Sequence, residues 1–351
     1  MSALPPPRRI AVFRALQLGD LLCSVPALRA LRAACPQARI TLVGLPGAAD
    51  FARRFGHYID ELLPFPGMEL FPEQTPRPDE LPGFFEAARE RRFDLALQLH
   101  GSGLHANGVV RRLGARRWAG FVPHPAQART GWRLAWPQDL PEPLRYTALI
   151  EHMGLPVESV ELELPLFPGE DGSARRLLAD HGLQPNRTVV LHPGARLPSR
   201  RWPVRHYAAV ANALARGGWQ VALTGAPDEA GLVGELAGLC RYPAANLCGK
   251  TTLGELAALL SRCRLLISND TGVSHVAAAA GAASVVVACG SDARRWAPLD
   301  RQRHKVVAAE LPCRPCMHAV CPIGHPCALA VTPAEVLARA HDVLGGGRHA
   351  S

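Results

Sequence analysis

Lysine is nearly absent from this chain of 351 residues. It occurs only at positions 250 and 305, so nearly all of the 39 basic residues are arginines, and against 30 acidic residues they leave a formal net charge of +9. Arginine binds phosphates and carboxylates through two parallel hydrogen bonds, so this composition favours an acidic partner: a nucleotide, a nucleic acid or an anionic membrane surface. Biased codon usage in a GC-rich genome is the alternative explanation.

Aromatic residues and long apolar runs are also scarce. Aromatics make up 6% of the chain and no RNA-binding motif is present, which argues against nucleic acid as the partner. No stretch reaches the roughly 18 unbroken apolar residues of a membrane-spanning helix. The apolar stretch near the start is interrupted by Arg14 and Asp20, so it does not resemble a secretion signal. We therefore expect a cytoplasmic protein whose basic surface allows peripheral contact with the inner face of the plasma membrane.

The order of predicted elements indicates an α/β fold in two domains. A chain of this length exceeds the size at which a single core keeps growing. A strand over 10–16, a turn at 17–20, a helix over 21–34 and a strand over 40–44 form a β-α-β unit, which predicts a parallel sheet. Another strand is predicted over 93–99, whereas 64–83 and 120–143 are predicted to be loops.

A second α/β half follows a linker rich in Pro and Gly at 165–172. Its predicted strands are 188–192, 219–224, 265–268 and 284–288, and its predicted helices are 173–181, 204–216, 253–261 and 333–344. In parallel sheets, ligands bind beyond the carboxyl ends of the strands. The turns that follow strands are therefore the candidate sites.

The stretch SNDTGVSH, residues 268–275, carries the most specific turn. It follows a strand and opens a helix, where free amides and the positive end of the helix dipole attract phosphate. Thr271 is a candidate N-cap and Gly272 allows close approach of a ligand. We expect Asp270 to order the turn or to accept from a sugar hydroxyl, and His275 to face the ligand. An ordinary capped helix start is the alternative.

Two further turns follow predicted strands. The stretch LHPGARLPSRRWP, 191–203, places three arginines near a glycine turn, where they could bind a diphosphate. A solvated basic loop is the alternative. Thr224 and Gly225 end the next strand and offer a close backbone approach. The candidate residues of the first of these two turns are His192, Gly194, Arg196, Arg200 and Arg201.

The first strand-to-helix turn contains Gly19 and Asp20. Asp20 is either the N-cap of the following helix or a general base that takes a proton from an attacking hydroxyl. The stretch LQLGDLL lacks the G-x-G-x-x-G pattern, which argues against a nicotinamide enzyme. Four arginines follow the strand at 93–99 and either bind an acidic acceptor or form a solvated face. They are Arg111, Arg112, Arg116 and Arg117.

Four cysteines crowd near the end of the chain at 313, 316, 321 and 327, with His318 and His325 between them. The first pair has the spacing of metal ligands, and the rest is irregular. Zinc, reduced thiols and a disulfide all remain open. We expect this segment to lie away from the strand-end turns, which argues against a catalytic metal.

Four blocks of the sequence resemble glycosyltransferase family 9, the ADP-heptose:lipopolysaccharide heptosyltransferases. They are RALQLGDLLCSVPALRAL, LHPGARLPSRRWPVRHYAAVANAL, VALTGAPDEAG and LLISNDTGVSHVAAAAGAASVVVACGSDARRWAPL. The resemblance implies the GT-B arrangement, in which two Rossmann-like domains face each other across a cleft. It implies an acceptor-binding domain over 1–168, a nucleotide-sugar-binding domain over 169–332, and a helix and tail over 333–351. The segment 97–121 resembles the acceptor-side region of the family.

The same resemblance implies an inverting transfer of heptose from ADP-heptose to an anionic, lipid A-linked oligosaccharide. Asp20 would be the catalytic base, and Asp270, Thr271, Gly272 and His275 would contact the donor. Arg200 stands where the family commonly has Lys, which keeps the charge but changes its geometry. No cofactor or metal is expected, since arginines would neutralise the leaving diphosphate and no Asp-x-Asp motif is present. A nucleotide-sugar epimerase and a non-catalytic nucleotide-sugar-binding protein are the alternatives.

Overall fold

The computed structural model describes residues 6–128 and 131–345. The chain divides into two units, of which the first ends at Glu161 and the second begins at Leu162. Each unit contains a six-stranded parallel sheet with helices. The predicted α/β fold class is therefore confirmed. The tail that was predicted beyond the last helix lies outside the described residues.

The sheet of the first unit has the strand order β3-β2-β1-β4-β5-β6. Its strands are β1 (Arg9–Phe13), β2 (Arg39–Gly44), β3 (Glu61–Pro64), β4 (Leu95–Gln98), β5 (Arg117–Val122) and β6 (Arg133–Ala135). Its helices are α1 (Leu18–Cys23), α2 (Val25–Ala34), α3 (Ala49–Arg54), α4 (Leu81–Glu90), α5 (Ala106–Arg112) and α6 (Glu142–His152). The strand order reverses between β1 and β4, which is the switch point where Rossmann-like sheets bind ligands.

The sheet of the second unit has the order β12-β11-β10-β7-β8-β9, which is the same topology. Its strands are β7 (Thr188–His192), β8 (Gln220–Leu223), β9 (Ala244–Asn246), β10 (Leu265–Asn269), β11 (Ser284–Val287) and β12 (His304–Val307). Its helices are α7 (Glu170–Asp180), α8 (Val204–Arg216), α9 (Ala230–Leu239), α10 (Leu253–Arg262), α11 (Gly272–Ala279), α12 (Ala293–Trp296), α13 (Pro326–Ala330) and α14 (Pro333–Gly345). The switch point of this sheet lies between β7 and β10.

The helix predicted over 21–34 is two helices. Because Pro26 has no N–H, it cannot donate to the carbonyl four residues earlier, and α1 ends at Cys23. Ser24 bridges the break: its hydroxyl donates to the Leu21 carbonyl at 2.7 Å, and Pro26 occupies the first turn of α2. Gly19 and Asp20, predicted to form a turn, lie within the first turn of α1.

The loop predicted over 120–143 is wrong in part, since β5 extends to Val122 and β6 lies within it. β6 is a half-buried edge strand of three residues, too short to show an alternating apolar pattern. The central strands β10 and β11 are buried at every residue, as expected for a parallel sheet covered on both faces. None of the helices within the described ranges is long and apolar enough to cross a membrane.

Candidate active site

The predicted turns of the second unit meet at one edge of its sheet. β7 lies between β10 and β8, with Ser268 opposite His192 and Leu191 opposite Leu223. The turns that begin at His192, at Thr224 and at Asp270 therefore follow neighbouring parallel strands. The sheet register thus places these three sequence motifs at its carboxyl edge, beside the switch point.

Asn269 connects two of these turns. Its buried side-chain amide donates to the carbonyls of Pro193 at 2.7 Å and Gly194 at 3.1 Å, and its Oδ1 accepts from the backbone N–H of Trp202 at 2.8 Å. Asn269 therefore fixes the loop after β7 against the end of β10. Asn269 was not predicted as a site residue, although a polar residue at the end of a buried strand is a usable signal.

Asp270 is half-buried, and its Oδ2 is inaccessible to solvent and makes no hydrogen bond of normal geometry within the described residues. Burial raises the pKa of this carboxyl to about 6. Four neighbouring groups lower the pKa by less than burial raises it; they are the hydroxyl of Ser291 and the guanidinium groups of Arg200, Arg301 and Arg314. Asp270 is thus held among donors that lie near it but leave one carboxylate oxygen for another partner.

Thr271 is the N-cap of α11 by its backbone, but its side chain makes no capping hydrogen bond. Its carbonyl instead accepts from the backbone N–H of Ser274 at 3.0 Å and from the hydroxyl of Ser274 at 2.7 Å. Gly272 begins the helix. His275 is buried and lies edge-to-face on Trp296, with ring centroids 6.3 Å apart. Thr271 is therefore the N-cap residue, as predicted, although its side chain accepts no hydrogen bond from the first turn of the helix.

His192 lies between the turns after β7 and β8. Its Nδ1 is 3.2 Å from the hydroxyl of Thr224, and its Nε2 is 3.5 Å from Oε2 of Glu229. Burial lowers the pKa of His192, and Glu229 opposes this effect. Glu229 also accepts from the backbone N–H of Ala226 at 2.8 Å. Sequence reasoning missed Glu229, although P-D-E after a strand is a usable signal of a capped turn.

Gly194 and Gly225 are required for space beside Glu229. A Cβ atom on Gly194 would lie 1.9 Å from Oε1 of Glu229. A Cβ atom on Gly225 would lie 2.8 Å from a methyl of Val233 and 3.3 Å from Oε2 of Glu229. The two glycines thus let the loops approach a carboxylate that is largely screened from solvent.

The three arginines near Gly194 have different surroundings. Arg196 is exposed, and Arg201 donates from Nε to the carbonyl of Ala195 at 2.8 Å. Arg200 donates from Nη2 to the carbonyl of Cys316 at 2.7 Å, while its buried Nη1 has no hydrogen-bond partner among the described residues. Arg200 is therefore the member of the set that the structure associates with Asp270.

The cysteine-rich segment packs against the strand-end turns, so the expectation that it lies away from them is wrong. The backbone N–H of Ser199 donates to the carbonyl of Ala319 at 3.0 Å, and the hydroxyl of Ser199 donates to the carbonyl of His318 at 2.5 Å. Nε2 of His325 lies 2.9 Å from the carbonyl of Ser199. All ten cysteines are unpaired thiols, and within residues 6–128 and 131–345 no three His, Cys, Asp or Glu side chains form a metal-binding group. The segment instead holds the backbone next to Arg200.

In the first unit, a buried arginine at the end of β1 contacts the backbone of Asp20. Arg14 is fully buried, and its Nε donates to the carbonyl of Asp20 at 2.8 Å. Its Nη2 donates to the same carbonyl, and its Nη1 donates to the carbonyl of Leu99, at the end of β4. The guanidinium lies over the ring of Tyr146, 4.2 Å from the centroid. Arg14 therefore joins the first turn of α1 to the switch point of the first sheet.

His100 lies two residues beyond the end of β4 and was not predicted from the sequence. Its Nδ1 accepts from the backbone N–H of Ala15 at 3.3 Å, and its ring stacks on Phe13 with centroids 5.2 Å apart. Burial, together with the charge of Arg14, lowers the pKa of His100 to about 3. The ring is therefore neutral near pH 7, with its proton on Nε2 and available to donate a hydrogen bond.

The four arginines after β4 do not form one anion pocket. Arg111 lies 5.5 Å from the centroid of Trp118, and Arg112 lies 3.7 Å from the centroid of Phe85. The other two contact different groups: Arg117 lies 5.3 Å from the centroid of Trp132, and Arg116 is 4.0 Å from the carboxylate of Asp94. Their positive charges are spread over α5, the connection that follows it and the start of β5.

Comparisons with known proteins agree with this architecture. The sequence model of glycosyltransferase family 9 (heptosyltransferase) matches residues 83–326. The chain is 28% identical over 305 residues to lipopolysaccharide heptosyltransferase 2 of Salmonella typhimurium, covering 77% of this chain and 80% of that protein. A glycosyl transferase family 9 structure from Veillonella parvula superposes with a TM-score of 0.79 at 22% identity, over 97% of this chain and 98% of that chain.

The structure of ADP-heptose lps heptosyltransferase II from E. coli superposes with a TM-score of 0.72 at 23% identity, over 97% of this chain and 99% of that chain. The fold and the family model together define a glycosyltransferase built from Rossmann-like units. The chain belongs to glycosyltransferase family 9 (heptosyltransferase). The predicted resemblance and the predicted class of enzyme are thereby confirmed.

Proposed function

We propose that this protein is an inverting heptosyltransferase that moves heptose from ADP-heptose to a lipid A-linked acceptor of the lipopolysaccharide inner core. The family match and the names of the similar proteins support heptose as the sugar and lipopolysaccharide as the product. The observation that carries the proposal is the convergence of the turns after β7, β8 and β10 on the switch point of the second sheet. This is the position at which a parallel sheet of this topology binds a nucleotide.

The donor would bind at these turns. Gly272 opens α11, and amides at a helix start attract a diphosphate. Arg200 contributes a guanidinium whose Nη1 is not used by the described residues. His192, Thr224 and Glu229 offer hydrogen-bonding groups for the nucleoside. Because residues 194 and 225 are glycines, the loops after β7 and β8 lie close to the Glu229 carboxylate.

Asp20 would act as the general base. Its carboxylate takes the proton of an acceptor hydroxyl, whose oxygen attacks the anomeric carbon of the heptose. The bond between that carbon and the diphosphate oxygen breaks on the opposite face, and ADP leaves with the electron pair, so the configuration inverts. The hydrogen bonds of Arg14 support this role, since they hold the backbone of Asp20 in place. The neutral ring of His100 would donate from Nε2 to a substrate oxygen.

The leaving ADP gains negative charge in the transition state. Arg200 and the amides at the start of α11 would stabilise this charge, so we propose that transfer does not require a divalent cation. Fixed donors of this kind commonly contribute about 10²–10³ in rate each. The acceptor carries acidic groups, which suits the exposed arginines at 111, 112 and 116 of the first unit. We propose peripheral binding at the inner leaflet on the same grounds of charge.

The test is a transfer assay with ADP-heptose and lipopolysaccharide from a heptose-deficient strain. Asp20→Asn should reduce the rate by about 10²–10⁴-fold while ADP-heptose still binds, because a general base contributes this much. Asp50→Asn is the matched control, since Asp50 also lies in the first turn of a helix of this unit. EDTA should leave the rate unchanged.

Three results would contradict the proposal. Conversion of ADP-heptose without acceptor would indicate an epimerase. Binding of ADP-heptose with no transfer by the wild type would indicate a non-catalytic binding protein. An unchanged rate in Asp20→Asn would remove Asp20 from the role of base.

A further inference from the structure

Five buried polar atoms among the described residues of the second unit lack a hydrogen bond of normal geometry, and three of them belong to residues in the loops that follow strands. These three atoms are Oδ2 of Asp270, Nη1 of Arg200 and Oγ of Ser291. Buried polar atoms in folded proteins nearly always have a partner, so each such atom calls for an explanation. Asp270 and Arg200 already belong to the predicted donor site. Ser291 does not, and no part of the preceding mechanism uses it.

The three atoms belong to one place in the fold. The Ser291 hydroxyl lies near enough to the Asp270 carboxyl to lower its pKa, and Arg200 acts on the same carboxyl. A Cβ atom on Gly290, the residue before Ser291, would lie 2.9 Å from Nη1 of Arg200. The unused donor of Arg200 therefore lies against the backbone that carries Ser291, at the carboxyl ends of β7, β10 and β11.

Hydrogen bonds from Arg314 and Cys316 hold the backbone around Ser291 and the side chain of Arg200. Arg314 donates to the carbonyls of Ala288 at 2.7 Å and Ser291 at 3.1 Å, and also to the carbonyls of Cys289 and Ala309. The backbone N–H of Cys316 donates to the carbonyl of Gly290 at 2.9 Å, and the carbonyl of Cys316 accepts from Arg200. Ser291 also lines a cavity of about 540 Å³ that reaches Asp292 and Arg314. The positions of Ser291 and Arg200 are therefore fixed before a ligand arrives.

The chemistry of the three groups selects the ligand. A guanidinium N–H only donates, an ionised carboxylate only accepts, and a serine hydroxyl does both. A diphosphate oxygen would accept from Arg200 but would be repelled by Asp270. A sugar joined to a diphosphate satisfies all three groups, because its alcohols can pair with Asp270 and Ser291 while a diphosphate oxygen accepts from Arg200.

We propose that Ser291 is a further donor-binding residue, which together with Asp270 binds hydroxyl groups of the sugar that is transferred, next to the Arg200 guanidinium that binds the leaving diphosphate. This inference rests on the proposed function. It assigns the sugar to the end of β11, whereas the diphosphate belongs at the start of α11. It also gives the cysteine-rich segment a role, since that segment holds Arg200 in position.

The experiment measures the affinities of ADP-heptose and of ADP for Ser291→Ala by isothermal titration. We expect affinity for ADP-heptose to fall about tenfold, which is the size of one hydrogen bond to a buried polar group, and affinity for ADP to stay the same. The melting temperature should change little, because the Ser291 hydroxyl makes no hydrogen bond of normal geometry with the described residues. A residue needed only for folding would lower the melting temperature and leave the ratio of the two affinities unchanged.

Ser261→Ala is the matched control, since the exposed Ser261 hydroxyl donates to the carbonyl of Ala258 in its own helix at 2.9 Å. It should change neither affinity. If the ratio of the affinities for ADP-heptose and ADP were the same in Ser291→Ala as in the wild type, the proposal would be overturned. The Ser291 hydroxyl would then bind water and not the sugar. Equal losses for both ligands would also overturn it. A wild-type protein that binds neither ligand would instead contradict the proposed function.

Discussion

The guanidinium of Arg14 donates two hydrogen bonds to the backbone carbonyl of Asp20 and a third to the carbonyl of Leu99. A fully buried cation thus joins the end of β1, the start of α1 and the end of β4. Within the first unit its charge is stabilised by Tyr146, Asp20 and Glu142. Glu142 accepts from the hydroxyl of Tyr146 and lies 3.4 Å from Arg145. This buried network of charges therefore holds the backbone of Asp20, the proposed base, in place.

Arg14→Met should destabilise the protein by about 3–5 kcal/mol, because it leaves Glu142 with less compensating charge and two carbonyls without donors. Among the molecules that fold, transfer should slow while ADP-heptose affinity is retained. Urea denaturation and titration calorimetry at low temperature measure the two effects. Arg39→Met is the control, since Arg39 is two-thirds exposed and pairs with Glu61 at the surface. Equal stability losses in both variants would contradict the role of Arg14.

Asp270→Asn should change how stability depends on pH. The folded pKa of Asp270 is about 6, above the unfolded value near 3.9, so the folded state holds this proton more tightly. The stabilisation from that proton is complete below about pH 4 and is lost as the pH rises through 6, by about 2–3 kcal/mol in all. Because the amide of Asp270→Asn does not titrate, its free energy of unfolding does not show this loss.

Urea denaturation at pH 4.5 and pH 7.5 tests this prediction. The stability of Asp270→Asn relative to the wild type should increase between the two values. A difference between variant and wild type that does not vary with pH would show that Asp270 titrates normally.

Gly194→Ala should weaken ADP binding and destabilise the second unit by about 1–3 kcal/mol, because its methyl group would displace the Glu229 carboxylate. Gly234→Ala is the matched control. Gly234 is exposed within α9 and a Cβ atom there meets nothing within 4 Å, so this change should stabilise the protein by about 0.4–1 kcal/mol. Thermal unfolding and ADP titration measure both. If Gly194→Ala behaved like the control, Glu229 would not be held where the structure has it.

The thiols should differ sharply in reactivity. Burial raises the pKa values of Cys263 and Cys289 to about 12, whereas Cys313 is exposed. Because the thiolate is the reactive form, iodoacetamide at pH 8 should modify Cys313 first and leave Cys263 and Cys289 unmodified in the folded protein. Peptide mass spectrometry over time measures the order. Early modification of Cys289 would mean that the end of β11 opens readily.

Much of the fold could be predicted from sequence, because parallel strands are buried on both faces and appear as short apolar runs. The strand at 188–192 and the helix at 204–216 agree residue for residue with β7 and α8. The break at Ser24 was missed because the apolar spacing continues across it, although Pro26 marks it. The edge strand β6 was missed because three half-buried residues carry no periodic signal.

The site was less predictable, because its remaining members depend on contacts between distant segments. Ser199 and Ala319 are hydrogen-bonded, yet nothing in their local sequences indicates the pairing. The position of the cysteine-rich segment was therefore predicted wrongly. The local sequence signal is weak for Asn269, Glu229 and His100, because it consists only of a polar residue near the end of a strand. Ser291 becomes notable only when the hydrogen bonds around it are counted.

The two sheets share one strand order, so each unit presents its first and fourth strands at the point where its ligand site would form. The loops that follow these strands lie beyond the paired residues of the two sheets. Grafting the turn after β4 from a relative with a different acceptor is therefore a route to altered acceptor choice. The turns after β10 and β11 would serve in the same way for a different donor sugar.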